Sequence, residues 1–146
     1  MKDIPLSEIT LRKYEKPTGL DRRELMRKIC LSLGLLQLGD SRDVIVDIVL
    51  VLHAAHKNRE ELTSEEIRKR VEVIRKEYSL DTKGLAESNI RRQLKRLRDS
   101  MLIDKIGNNY FFVEHLALKE IFENNIEKFV IPQIITRVKE YLDALD

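Results

Sequence analysis

The spacing of apolar residues changes once between positions 88 and 113, and that change limits the folds open to this chain. Ile90, Leu94 and Leu97 fall at i, i+4 and i+7, the inward stripe of a helix. After Ser100 the pattern shortens to two apolar-rich runs, residues 101–106 and 110–113, on either side of Gly107-Asn108-Asn109. Gly and Asn tolerate the positive φ that a tight hairpin demands. The spacing predicts a helix leading directly into a two-stranded hairpin, with Ser88 either capping the helix or sitting in its first turn.

Three helices are expected upstream. Asp21 is a suitable N-cap for a first helix reaching about Leu33, with Leu25, Ile29 and Leu33 at four-residue spacing. Gly34 and Gly39 bound a short connection, after which Ser41 can cap a second helix over residues 42–58. Between Val44 and Ala55 that segment is almost wholly apolar, broken by Asp47, and a helix apolar around its circumference belongs at the centre of a domain. Thr63-Ser64-Glu65-Glu66 fits a capping box for a third helix ending near Glu77, with Ile67, Val71, Ile74 and Tyr78 on one face. A polar connection containing Gly84 separates it from the basic helix.

Residues 1–19, punctuated by Pro5, Pro17 and Gly19, read as an extended arm; residues 20–113 form the domain and residues 114–146 a C-terminal helical segment. In that last segment Leu118, Ile121 and Phe122 mark one helix ended by Asn124-Asn125, and Pro132 suits the first turn of another. Ile131, Val138 and Leu145 are seven apart, as are Ile134 and Tyr141. With Ile135 and Leu142 they make a seam of about two heptads, expected to dimerise the chain or else to pack back over Leu116, Ile121 and Phe122.

A chain of 146 residues can bury a core without metal or disulfide staples, and its single cysteine, Cys30, excludes an internal disulfide. Lying among Ile29, Leu31 and Leu33, Cys30 is expected as a small buried filler rather than a redox sensor. With no apolar leader and no span-length apolar run, the expected location is cytoplasmic. The net charge of +2 says little, but its distribution is uneven. Arg91, Arg92, Lys95, Arg96 and Arg98 outnumber Glu87 and Asp99 in residues 84–100, whereas acidic residues prevail after residue 113.

The stretch SNIRRQLKRLRDSMLIDKIGNNYFFV resembles the recognition-helix-and-wing segment of prokaryotic and archaeal winged helix-turn-helix regulators, a likeness covering residues 42–113. Leu97 and the Leu102-Ile103 pair occupy the places of that pattern, and Met101 stands where it usually has Gly. The resemblance implies a mainly α fold: a winged helix-turn-helix with additional N- and C-terminal helices and a β-hairpin wing.

The chemistry of the basic helix agrees with that implication. Arg pairs with guanine O6 and N7 and Asn with adenine in the major groove, while Lys and Arg anchor phosphates. The expected double-stranded DNA contacts are Ser88, Asn89, Arg91, Arg92, Lys95, Arg96 and Arg98 on the helix, and Lys105, Asn108 and Asn109 on the hairpin. The expected function is transcriptional regulation by a homodimer; a winged-helix adaptor for another protein is the alternative. No phosphate loop, nucleophile elbow or Cys–His or Ser–His set is present, so neither enzymatic activity nor a cofactor is expected. His53 and His56 are about one turn apart but lack a third ligand nearby, and no metal site is expected.

Overall fold

A computed structural model describes residues 3–40 and 42–146. Residues 3–20 hold no regular secondary structure and lead into α1 (Arg22–Ser32), α2 (Val44–Lys57), β1 (Leu62–Thr63), α3 (Ser64–Glu77) and α4 (Glu87–Asp99). The hairpin β2 (Ile103–Ile106) and β3 (Asn109–Phe112) follows, then a 3₁₀ turn, Val113–His115. The chain closes with α5 (Leu118–Ile121), a π-helical stretch (Phe122–Val130) and α6 (Ile131–Leu145). Among the described residues no helix is long and apolar enough to cross a membrane.

The apolar α2 is the axis of the core. Val46 and Ile48 are completely buried there, and α1, α3 and β3 all pack on it. Ser41, the residue expected to cap it, lies outside the described residues, and the N-cap position is held by Asp43 without a side-chain capping bond. The Asp43 carboxylate is engaged elsewhere: it takes Arg23 and Arg75, each at 3.0 Å. Asp47, fully buried one turn on, takes Arg23 at 2.9 Å and Arg75 at 2.8 Å. A charge in the first turn of a buried apolar helix must be paired, and this four-residue cluster ties α1 and α3 to α2.

That cluster corrects the expected face of α1. Leu25 is exposed and Ile29 and Leu33 only half-buried; the inward stripe is Met26 and Cys30, with Arg23 one turn before. Helical spacing alone allows two adjacent stripes, and the need to bring Arg23 to Asp47 selects the second. Cys30 is completely buried, and burial, aided by Asp47, pushes its thiol up to about 12, which makes it inert.

The expected capping box at Thr63 is present: Glu66 N–H donates to Thr63 Oγ1 at 3.2 Å, and Thr63 N–H to Glu66 Oε1 at 3.0 Å. Along α3, Ile67 and Val71 are buried, but Tyr78 is exposed, and the guanidinium of Arg23 stands over its ring. Just before α3, Leu62 and Thr63 pair antiparallel with Tyr110 and Asn109. The two-stranded hairpin is therefore part of a three-stranded sheet of order β1-β3-β2. A two-residue strand has no legible period, which is why β1 is not evident from sequence.

Helices α1 to α4 all end in the same double-bonded cap, in which a residue at positive φ turns the chain. At α4, Leu102 N–H donates to Leu97 O and Met101 N–H to Arg98 O. Met101 thus sits at φ +64°, a conformation that favours Gly. This is also why β2 starts at Ile103 rather than 101: Met101 and Leu102 complete the cap. A left-handed non-glycine residue costs about 1–2 kcal/mol, partly offset by glycine's larger unfolded-state entropy. Met101→Gly is expected to stabilise the protein by about 0.5–1 kcal/mol, seen as a higher urea midpoint at unchanged slope.

The C-terminal segment departs from expectation. Asn124-Asn125 does not end a helix; the chain stays helical from Leu118 to Leu145 by widening to i→i+5 bonding, as in Ile131 N–H to Ile126 O. The wider register just ahead of Pro132 accommodates a residue that has no N–H and whose ring would crowd the preceding turn. Asn125 instead donates its amide to Met101 O at 3.0 Å, docking the segment on the end of α4. Ile121 and Ile126 are buried in the core, but α6 has no buried residue. The segment therefore packs back on its domain in its first half and projects from it in its second.

Candidate nucleic-acid interface

Helix α4 is strongly amphipathic. Ile90, Leu94 and Leu97 are at most 1% exposed, so the inward stripe expected from spacing fixes the rotation of the helix against α2 and α3. Ser88 lies in the first turn, not at the cap, which is Ala86, and it is exposed. Arg91, Arg92, Lys95 and Arg98 are exposed on the outer face.

These cations are not equivalent. Arg91 pairs with Glu87 at 2.8 Å and Lys95 with Asp99 at 3.1 Å, both one turn apart and in solvent. Such surface pairs contribute little and open readily for a stronger anion. Arg92 touches only Asn89 Oδ1, at 3.3 Å, and carries an uncompensated charge among the described residues. Two expected contacts turn out to be occupied in holding the fold. Asn89 is half-buried and donates to Gly84 O at 2.7 Å, fixing the connection into α4. Arg96 is half-buried and donates to Leu35 O at 2.8 Å and to Gln93 Oε1 at 3.0 Å, joining α4 to the loop after α1.

The hairpin stands beside the outgoing end of α4. Its register, Ile106 opposite Asn109, leaves a two-residue turn of Gly107 and Asn108. Gly107 has φ +61° and Asn108 does not share the positive sign, the arrangement in which glycine is needed at the first turn position. Asn108 is exposed at the tip, while Asn109 is half-buried because it pairs with both β2 and β1. Lys105 is exposed on β2, its ammonium 5.6 Å from the centre of the Tyr110 ring across the ladder. Ile106, 69% exposed, makes the tip partly apolar.

The remaining candidates lie elsewhere. His53 and His56 are on α2, away from α4; burial, with Arg22, Lys57 and His56 nearby, lowers the pKa of His53. Among the described residues no three His, Cys, Asp or Glu side chains gather as a metal site would require. Spacing on α4 did not reveal Arg42, which precedes α2 and lines a cleft with Arg92 and Arg96. The residues of the seam, Ile131, Ile134, Ile135, Val138, Tyr141, Leu142 and Leu145, all lie on the projecting α6, with Val138 52% and Leu145 79% exposed. Comparisons with family models, with curated proteins and with solved structures gave no match.

Proposed function

We propose that α2 to β3 form a winged helix-turn-helix that binds double-stranded DNA, with α4 entering the major groove and the β2–β3 hairpin as the wing. The observation that carries this reading is α4 itself: one face is sealed into the core while the opposite face offers Arg91, Arg92, Lys95 and Arg98 to solvent beside a protruding hairpin. The order helix, strand, helix, helix, hairpin, with the first strand closing on the second strand of the hairpin, supports it. Phosphate contacts from Arg92, Lys95 and Arg98 would supply most of the affinity, and Arg91 the preference for base edges. Arg96 and Asn89 act by shaping the helix and its entry. The activity is binding rather than catalysis, in the role of a transcriptional regulator.

The apolar seam of α6 serves a second copy of the chain in this reading. Ile131, Ile134, Val138, Tyr141 and Leu145 alternate at three and four residues, a self-complementary a/d pattern, and two-fold pairing would present two α4 helices to successive turns of DNA. The same exposed seam is the feature that favours the adaptor alternative.

Fluorescence anisotropy with duplex DNA over a salt series tests the reading. The wild type is expected to bind with strongly salt-dependent affinity. Arg92→Ala/Lys95→Ala is expected to bind about tenfold or more weakly, with a log–log salt slope shallower by about 2. Neither residue holds the core, so circular dichroism should be unchanged. Absence of binding at low salt by a folded protein would overturn the DNA reading and leave the adaptor one.

A further inference from the structure

A cleft of about 340 Å³ opens where the first turn of α2 meets the outer flank of α4, and three arginines line it: Arg42, Arg92 and Arg96. Of the eleven other arginines six, Arg23, Arg68, Arg70, Arg75, Arg91 and Arg137, pair with a carboxylate among the described residues. None of the three bordering the cleft forms an ion pair among the described residues. Arg92 and Arg96 contact only neutral acceptors, Asn89 Oδ1 for the first, Gln93 Oε1 and Leu35 O for the second. The one acid lining the cleft is Asp40, whose carboxylate accepts Gln37 N–H at 2.9 Å. The cleft therefore carries more positive charge than its own side chains balance.

We infer that this cleft is a phosphate-binding site formed by Arg42, Arg92 and Arg96, joining two elements that sequence spacing keeps apart. Guanidinium is the side chain suited to phosphate, because its planar donors match two oxygens at once. The neutral bonds of Arg96 hold its planar group in place before a ligand arrives, which lowers the ordering cost of binding. The two carboxylates at the start of α2, Asp43 and Asp47, are balanced by Arg23 and Arg75 and so do not offset the charge of the cleft. The phosphate has two possible sources, a nucleic-acid backbone or a free phosphorylated small molecule. The first rests on the DNA reading and would seat α4 in a fixed register; the second does not depend on it.

The experiment titrates inorganic phosphate into the ¹⁵N-labelled full chain, with chloride at matched ionic strength as the control. Saturable shifts of the Arg42, Arg92 and Arg96 Nε–H signals and of the amides opening α2 are expected, and Arg42→Gln should weaken binding about tenfold. Arg42 is exposed and makes no hydrogen bond within the described residues, so this variant should fold normally, and circular dichroism checks that it does. Phosphate shifts no larger than those with chloride, or shifts that survive Arg42→Gln unchanged, would overturn the inference. A parallel duplex titration assigns the source. A salt slope reduced by about 1 in Arg42→Gln supports the site with backbone phosphate as its occupant. An unchanged slope, or no duplex binding at all, together with saturable phosphate binding supports it with a free phosphorylated ligand.

Discussion

Asp47→Ala is expected to destabilise the protein by about 3–5 kcal/mol, the cost of removing one partner from a buried ionic cluster. Total stability of a domain is only about 5–15 kcal/mol, so this one change should leave it close to unfolding at ambient temperature. Asp47 is completely buried and accepts three guanidinium bonds: Arg23 Nε at 2.9 Å, Arg23 Nη2 at 3.1 Å and Arg75 Nη1 at 2.8 Å. Without it, two buried guanidiniums share Asp43, and the only other carboxylate in reach among the described residues is that of Asp81, 3.8 Å from Arg75 Nη2. Arg75 has a further tie, its Nε donating to Asp81 O at 2.6 Å, whereas Arg23 has Tyr78 and little else. Asp47→Asn keeps the shape and one acceptor, and should cost less. Urea unfolding measures both, and a cost below about 1 kcal/mol for Asp47→Ala would show that the cluster is not what joins the three helices.

The same cluster sets an acid limit. Burial opposes the charged form of Asp43, but hydrogen bonds from Arg75 and Arg23 and their charges outweigh it and hold its carboxyl below the usual range. A lowered folded-state pKa means stability that is fully present above the unfolded value, about 3.9, and is lost as pH falls through the lower folded value. The contribution of Asp43 should therefore be constant at neutral pH and decline only below about pH 4. In Asp43→Asn that part of the acid dependence should vanish.

The second large effect is expected on association. Wild-type chain at micromolar concentration should scatter light with twice the 17.2 kDa mass of one copy, and Val138→Asp should return it to a single mass. Val138 lies at the middle of the a/d seam and is 52% exposed in the single chain, so the substitution spares the monomer fold. In a two-fold pair every change occurs twice. Losing the remaining burial of a valine at two sites, together with two carboxylates left unpaired in an apolar seam, weakens association by about 3–6 kcal/mol, on the order of 10²–10⁴-fold. Lys139→Asp, on the polar side of α6, should leave the mass unchanged. If the wild type itself has the mass of one copy, the seam serves another partner, and the adaptor reading gains. DNA affinity of Val138→Asp should fall as well, since one α4 then binds in place of two.

Much of this was legible one segment at a time. The stripe Ile90–Leu94–Leu97, the capping box at Thr63, the glycine-led turn at Gly107 and the seam from Ile131 to Leu145 all follow from spacing and local dihedral chemistry. The exposure of Arg91, Arg92, Lys95 and Arg98 follows too, because a helix with one apolar stripe leaves the other side to water. Local spacing failed wherever a distant partner set the outcome. Arg23 faces inward because Asp47 lies 24 residues on, and the stripe of α1 turns with it. Arg75 is buried for the same reason, though a basic residue near a helix end would ordinarily be left in solvent. Asn125, in composition a helix stop, became a dock for Met101 O, and the helix passed it in a wider register.

Arg96 and Asn89 show the limit most clearly at the candidate site. Both have the right chemistry on the right helix, yet Gly84 O claims Asn89 and Leu35 O fixes the direction of Arg96, while Arg42, 50 residues before Arg92 in sequence, joins Arg92 and Arg96 at one cleft. Residue type and period determine which faces of an element are apolar or charged. Which charges remain free to meet a ligand is decided by the acceptors that folding brings within about 3 Å, a distance over which hydrogen bonding is made or lost.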